Sequence, residues 1–208
     1  MDICLSRQDN LELAQKYLTK GIYSCAKLAN INITPYEIQA VLEDIDVSRI
    51  SDEHKRIIKN LQKAWQYALD NLDKETNLEF LSKINSIILE GIDEQAGKLR
   101  AQPNEKNLPP PNPETVKQDL DTILKIEDTI EKALEYFLYG CKYQLFPKGN
   151  KRTVLIGTNS ILIKNGAGLL LIQDKDLVDF NLKSLYYYNT SKSKPFKDFL
   201  YENCIITQ

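Results

Sequence analysis

Histidine is nearly missing from this chain. His54 is the only one in 208 residues, and it stands in Asp52-Glu53-His54-Lys55-Arg56, a charged helix start where a solvated imidazole is the ordinary outcome. Cysteine is sparse as well: Cys4, Cys25, Cys141 and Cys204 are isolated, with no Cys-x-x-Cys pair, which argues against a disulfide framework and against zinc. No apolar run approaches the roughly 20 residues that cross a bilayer; Gly166 to Ile172 is far shorter, so no membrane segment is expected. Met1 to Asn10 carries Asp2, Arg7 and Asp9 without an apolar core, so no secretory signal is expected and the expected compartment is cytoplasmic. Asp44, Asp46, Asp52 and Glu53 lack ligand spacing and read as a solvated acidic face, with no metal site.

The most local absence is of acid. From Tyr136 to Gln173 there is no Asp or Glu, while Lys142, Lys148, Lys151, Arg152 and Lys164 contribute +5; the chain's net charge is −2, so the remainder sums to −7. A positive field is therefore confined to one segment of an ordinary globular composition, 42% hydrophobic and 27% charged, and a chain of this length buries roughly 70% of its unfolded surface. Nothing in that balance points to nucleic acid.

What is present is mostly helical periodicity. Leu13, Leu18, Ile22, Cys25 and Leu28 mark a helix over Glu12 to Ala29, and Pro35 to Asp44 forms a second behind the N-cap Thr34 with Glu37 at the capping-box position. Ser51 to Leu72 and Glu114 to Leu145 continue the pattern. It breaks at Ala101 to Pro113, which holds five of the eight prolines; such a stretch excludes helix and reads as a linker between domains or a surface excursion within one.

Within the acid-free segment, Phe146-Pro147-Lys148-Gly149-Asn150-Lys151-Arg152 precedes helix-compatible residues from Thr153 to Asn165. A Gly-Asn turn that opens a helix aims unsatisfied backbone N–H groups at one point, where the helix dipole also favours anions. Lys151 and Arg152 add full charges. Taken alone, the turn reads either as a phosphate cradle or as a solvated, Lys-rich helix start.

This heptapeptide resembles the active-site loop of the Fic (Fido) family, His-x-Phe-x-Asp/Glu-Gly-Asn-Gly/Lys-Arg, in the Asn-Lys-Arg spelling of Doc-type members. Phe146, Gly149, Asn150, Lys151 and Arg152 match. The family's histidine falls on Gln144, its acidic residue on Lys148, and a second arginine of the adenylylating members on Leu155. Leu81 to Arg100, with Ala-Gly-Lys-Leu-Arg at 96–100, is similar to the helix and turn before the family's substrate flap; Asn60 to Leu72 and Gly166 to Leu200 resemble its flanking helices. Cys25 to Asn30 resembles the family's inhibitory segment, with its glutamate position on Ala29. Ser86 to Gly91 spells that pattern more literally, but within the core helix before the flap.

The resemblance implies an all-α Fic/Fido-type domain with a short β-hairpin flap at about 100–113 as its only strands, degenerate inhibitory-helix-like helices over 1–50 and a core over 51–208, the whole forming one compact domain. Family chemistry transfers a phosphate-containing group, usually AMP from ATP, to a protein hydroxyl. The histidine acts as general base and the acid binds magnesium. Neither role fits Gln144 or Lys148, so Gln144 is expected to be an inactive catalytic position, while Lys148, Gly149, Asn150, Lys151 and Arg152 are expected to bind phosphate. The implied ligand is ATP or another nucleotide, with magnesium doubtful; the implied partner is a protein target docking at the 100–113 flap. Three readings stay open: a degenerate member that binds a nucleotide or phosphorylated ligand without efficient AMP transfer, an active nucleotidyl- or phosphotransferase with altered chemistry, and a helical interaction protein whose turn binds nothing.

Overall fold

The computed structural model describes residues 5–104 and 107–208. Cys4 and the tip of the expected flap at 105–106 lie outside them. Among the described residues are ten α-helices: α1 (Arg7–Lys16), α2 (Leu18–Leu28), α3 (Pro35–Leu42), α4 (Asp52–Asp70), α5 (Leu78–Ile88), α6 (Pro113–Leu124), α7 (Thr129–Tyr143), α8 (Asn150–Lys164), α9 (Leu177–Thr190) and α10 (Lys194–Cys204). Most begin where a side chain takes up free N–H groups: Ser6, Thr34, Ser51, Asn77, Asn112 and Asp128 each accept from a first-turn N–H, a contribution of about 1 kcal/mol per cap. The Thr34–Glu37 capping box forms as the sequence predicts.

The central element is α8. Every residue from Arg152 to Ile163 is buried, because α8 packs against α7, α5, α1, α2 and α4. A helix buried all round is a core helix. Its closest neighbour is α7, and two glycines permit the approach: a Cβ on Gly140 would lie 2.7 Å from Val154 Cγ2, and one on Gly157 2.9 Å from Tyr136 Cε1. The site loop joins these two helices, so the tightest packing in the fold holds both of its ends.

The helical class is as expected, with three differences. The helix over Glu12 to Ala29 is two, parted at Tyr17 (φ −101°, ψ 13°); α1 packs on α8 while α2 packs on α4 as well, and no Gly or Pro marks the bend. The stretch Glu114 to Leu145 also divides, where Asp128 caps α7 by accepting from Glu131 N–H at 2.7 Å.

The third difference concerns the strands. Among the described residues they are β1 (Leu169–Leu170) and β2 (Ile205–Ile206), paired antiparallel with Leu169 opposite Ile206, and none of them lies at 100–113. The described residues of that segment make a turn instead, in which Asn104 N–H donates to Leu108 O at 3.2 Å and Leu108 N–H to Asn104 Oδ1 at 3.0 Å. Proline has no N–H for a ladder, and Pro103, Pro109, Pro110 and Pro111 flank the turn.

Candidate anion site at the start of α8

The loop from Gln144 to Gly149 is held by hydrogen bonds that leave one helix end free. Gln144 closes α7 in the left-handed region (φ 48°), and its Oε1 accepts from Asn104 Nδ2 at 2.7 Å. Phe146 is turned into the core, 2% exposed. Asn150 staples the loop reciprocally: its Oδ1 accepts from Phe146 N–H at 2.8 Å and its Nδ2 donates to Phe146 O at 2.7 Å. The Asn150 side chain is thus spent on shaping the turn, and only its backbone can serve an anion. Gly149 is left-handed (φ 77°) and caps α8 without a side-chain acceptor. The first turn of α8 therefore keeps its N–H donors, as the sequence predicts for a Gly-Asn turn.

Two residues that sequence reasoning left aside fix this loop from outside. Asn85, fully buried on α5, donates through Nδ2 to Lys148 O and Thr153 Oγ1, both at 3.0 Å, and accepts Gly97 N–H on Oδ1 at 2.9 Å. Arg100 donates from Nε to Gln144 O at 2.8 Å and from Nη1 to Gln102 O and Leu108 O at 2.8 and 2.9 Å. No motif singled out Asn85; the available signal was a polar residue on the buried face of an amphipathic helix. Arg100 was visible only as the end of Ala-Gly-Lys-Leu-Arg, and its donors go to carbonyls, so it clamps the loop to the segment after it.

These elements wall a cavity of about 710 Å³ lined by Ala29 at the end of α2, by Gln102 and Asn104, and by Gln144 and Lys148 to Arg152. All six sequence-selected residues meet here. Among the described residues its lining includes Arg100, Lys148, Lys151 and Arg152 and no Asp or Glu. The four cations are placed differently. Lys148 Nζ lies 3.2 Å from Asp93 Oδ2, so part of its charge is answered at the rim; Asp93 is held below the usual carboxylate range by the Gln95 backbone N–H and by Lys148. Lys151 Nζ lies over the Phe180 ring, 5.7 Å from its centroid. Arg100 is engaged by carbonyls.

Arg152 differs from all three. Its side chain is buried, 9% exposed, as that of Arg100 is at 7%, but among the described residues its Nη1 has no hydrogen-bond partner. Burial pulls its pKa down from the usual value, yet a guanidinium keeps its proton. An unpaired buried cation costs several kcal/mol, and here it borders a cavity whose described lining residues include no carboxylate. Ala29, where the resemblance puts the inhibitory glutamate, contributes only a methyl group to the same cavity.

The remaining sequence candidates sit elsewhere. His54 stands in the first turn of α4, its N–H bonded to Ser51 Oγ at 3.2 Å, and does not line the cavity. Asp44 pairs with Lys59, and Asp46 and Asp52 with Lys55, as a solvated charged face does. Ser86 to Gly91 closes α5, where Glu90 lies 3.3 Å from Lys63.

With this geometry in place, residues 75–162, from the approach to α5 through most of α8, match the family model described as Fic/DOC family. Among solved structures the chain is similar to Fic-1 (aa134–508) from C. elegans, at a TM-score of 0.78 and 17% identity over 92% of this chain and 62% of that one. A Fic family protein from Desulfovibrio desulfuricans G20 gives 0.72 and 13%, over 93% and 62%. A Fic domain containing signaling protein from Bacteroides thetaiotaomicron VPI-5482 gives 0.70 and 15%, over 88% and 76%. A search of curated proteins finds no match. The chain carries a Fic/Fido domain. It spans about 62% of the C. elegans and Desulfovibrio chains, and at these identities the likeness is one of fold.

Proposed function

We propose that this chain is a Fic-domain protein that binds a nucleotide or another phosphorylated ligand in the cavity at the start of α8 without efficient AMP transfer. The observation that carries the reading is Arg152: among the described residues, a buried guanidinium with an unpartnered Nη1, beside a helix start without a side-chain cap, in a cavity lined by cations and no carboxylate. A phosphate there would satisfy the guanidinium and the N–H groups together. Lys151 and, beyond its pairing with Asp93, Lys148 add longer-range attraction.

Transfer to a hydroxyl needs a base. Gln144 is an amide that does not titrate near neutrality, and its oxygen is already engaged by Asn104; among the described residues no His, Asp or Glu lines the cavity. Magnesium does not fit the residues present either, since it requires hard oxygen ligands and the corresponding position is an ammonium. No catalytic step is therefore assigned to a metal. The transferase alternative draws support from the stapled Asn150-Lys151-Arg152 turn, which keeps the shape of a phosphate-handling loop.

Calorimetric titration with ATP, with and without magnesium, tests the reading. Binding of similar strength in both conditions is expected. Failure of ATP, ADP, GTP and inorganic phosphate alike to bind at millimolar concentration would overturn it.

A further inference from the structure

Amides share the cavity with the four cations. Gln95, Gln102, Asn104 and Gln144 all line it, and each of these side chains carries two N–H donors and one oxygen acceptor. How the innermost of them is turned follows from the backbone. The Leu108 N–H can only donate, and it donates to Asn104 Oδ1 at 3.0 Å. That assigns the other end of the Asn104 amide, Nδ2, to Gln144, whose Oε1 accepts from it at 2.7 Å. The Gln144 amide is thereby fixed with its oxygen engaged and its Nε2 hydrogens left over, and among the described residues nothing accepts from them. Where the resemblance puts a base, this chain presents an oriented N–H donor.

We infer that the ligand of this cavity is a phosphorylated sugar or polyol, with its phosphate on Arg152 and the first turn of α8 and its hydroxyls on Gln144, Gln102 and Gln95. The inference rests on the phosphate reading above and names what the phosphate is attached to. A hydroxyl both donates and accepts, as an amide does. Gln144 Nε2 donates to a hydroxyl oxygen, and the Gln95 and Gln102 amides, exposed at the rim, take either part. The anion end is built for its load: Arg152 is 9% exposed and its Nη1 is unpartnered among the described residues. A nucleobase asks for a different wall, because bases are held by stacking on aromatic rings. The apolar part of the described lining is Leu28, Ala29, Ala101, Pro103 and Pro147, aliphatic groups that offer no aromatic face. ATP then binds through its phosphates, and the adenine adds nothing.

Magnesium-free calorimetric titrations with inorganic phosphate, ribose 5-phosphate, glucose 6-phosphate and AMP test this. At least one of the two sugar phosphates should bind about fivefold or more tighter than inorganic phosphate, the effect of one added neutral hydrogen bond, and AMP should bind no tighter than ribose 5-phosphate. Gln144→Met keeps the side chain's length and removes its N–H donors; it should bring the better sugar phosphate down to the affinity of inorganic phosphate while inorganic phosphate itself binds as before. If that variant lacks a cooperative melt, Gln102→Met at the exposed rim decides, and it should narrow the same ratio. Sugar phosphates no tighter than inorganic phosphate, AMP tighter than ribose 5-phosphate, or a ratio unmoved by the deciding variant overturns the inference and leaves the phosphate site standing. Failure of all four probes and of ATP to bind overturns the phosphate reading, and the inference with it.

Discussion

Charge is handled in opposite ways on two surfaces of this molecule. Around α3 and α4, Arg49 lies against Glu37, Lys55 against Asp46 and Lys59 against Asp44, and each of these cations is at least partly in water. At the start of α8, four cations border a cavity with no carboxylate among its described lining residues, and one of them, the buried Arg152, has a donor without an acceptor among the described residues. Paired surface charges of the first kind contribute about 0–1 kcal/mol each. A buried unpaired charge of the second kind costs several kcal/mol unless something answers it. The contrast teaches that charge density alone does not mark a site: both regions are rich in charge, and of the two only the second leaves a buried donor without an acceptor among the described residues.

The largest effect expected is on chemistry. With labelled ATP and magnesium, the wild-type chain should show no robust self-labelling. Gln144→His restores a base, a role that contributes about 10²–10⁴ in rate, and Lys148→Asp restores a metal ligand. The double variant should label itself or a lysate protein, and neither single variant should. The Gln144 change also removes the amide that accepts from Asn104, so a silent double variant with unchanged ATP affinity would locate the deficit in the clamp on the adjoining segment. Wild-type labelling abolished by Arg152→Ala would instead favour the altered-chemistry transferase.

Next comes a substitution that makes the cavity resemble the paired surface. Ala29→Glu sets a carboxylate among the cavity cations at the end of α2. Melting temperature should rise and ATP affinity fall by about tenfold or more, as an internal anion takes up a charge-assisted bond of roughly 1.5–3 kcal/mol. Unchanged affinity would mean that Ala29 does not face the phosphate position.

Smaller effects belong to the paired side. Thr34→Ala removes a capping box and should cost about 1 kcal/mol, read as a melting shift of about 2–4 °C for a chain of this size, with ATP affinity unmoved. Glu37, held at about 2 chiefly by its hydrogen bonds to Arg49, gives the mildest test. Its folded pKa is depressed, so its contribution is present above the unfolded value near 4.5 and is lost as pH falls towards about 2. Glu37→Gln should therefore be less stable than the wild type at pH 7 and lose less as pH falls from 5 to about 2.5, so that the two stabilities converge in acid; a difference that stays constant over that range would contradict the assignment.

Much of the fold was legible because periodicity and caps are local signals. Thr34 with Glu37, Ser51 before Asp52 and Gly149 before Asn150 mark three helix starts directly in the sequence. The bend at Tyr17 was not legible, since α1 and α2 part through their packing partners without a breaking residue. The 169–170 and 205–206 strands are two residues each and pair across the chain, beyond any short-range pattern. In the site, Gly149 and Arg152 could be read from the turn and the missing acids around them. Asn85, Asp93 and Asn104 could not, because each acts on the loop through its side chain from a distant segment. Asn150 was read as a ligand-facing group, and its amide instead holds Phe146.

The most direct test of the central claim sets the two regions against each other in one titration. ATP is titrated without magnesium into the wild type, Arg152→Ala and Arg49→Ala, each checked for a native melt. Loss of the Arg152 guanidinium should weaken binding by about tenfold or more, while loss of the paired Arg49 should leave affinity unchanged. Equal affinities for all three chains, or an equal loss in both variants, would contradict the assignment of the unpaired Arg152 as the anion site.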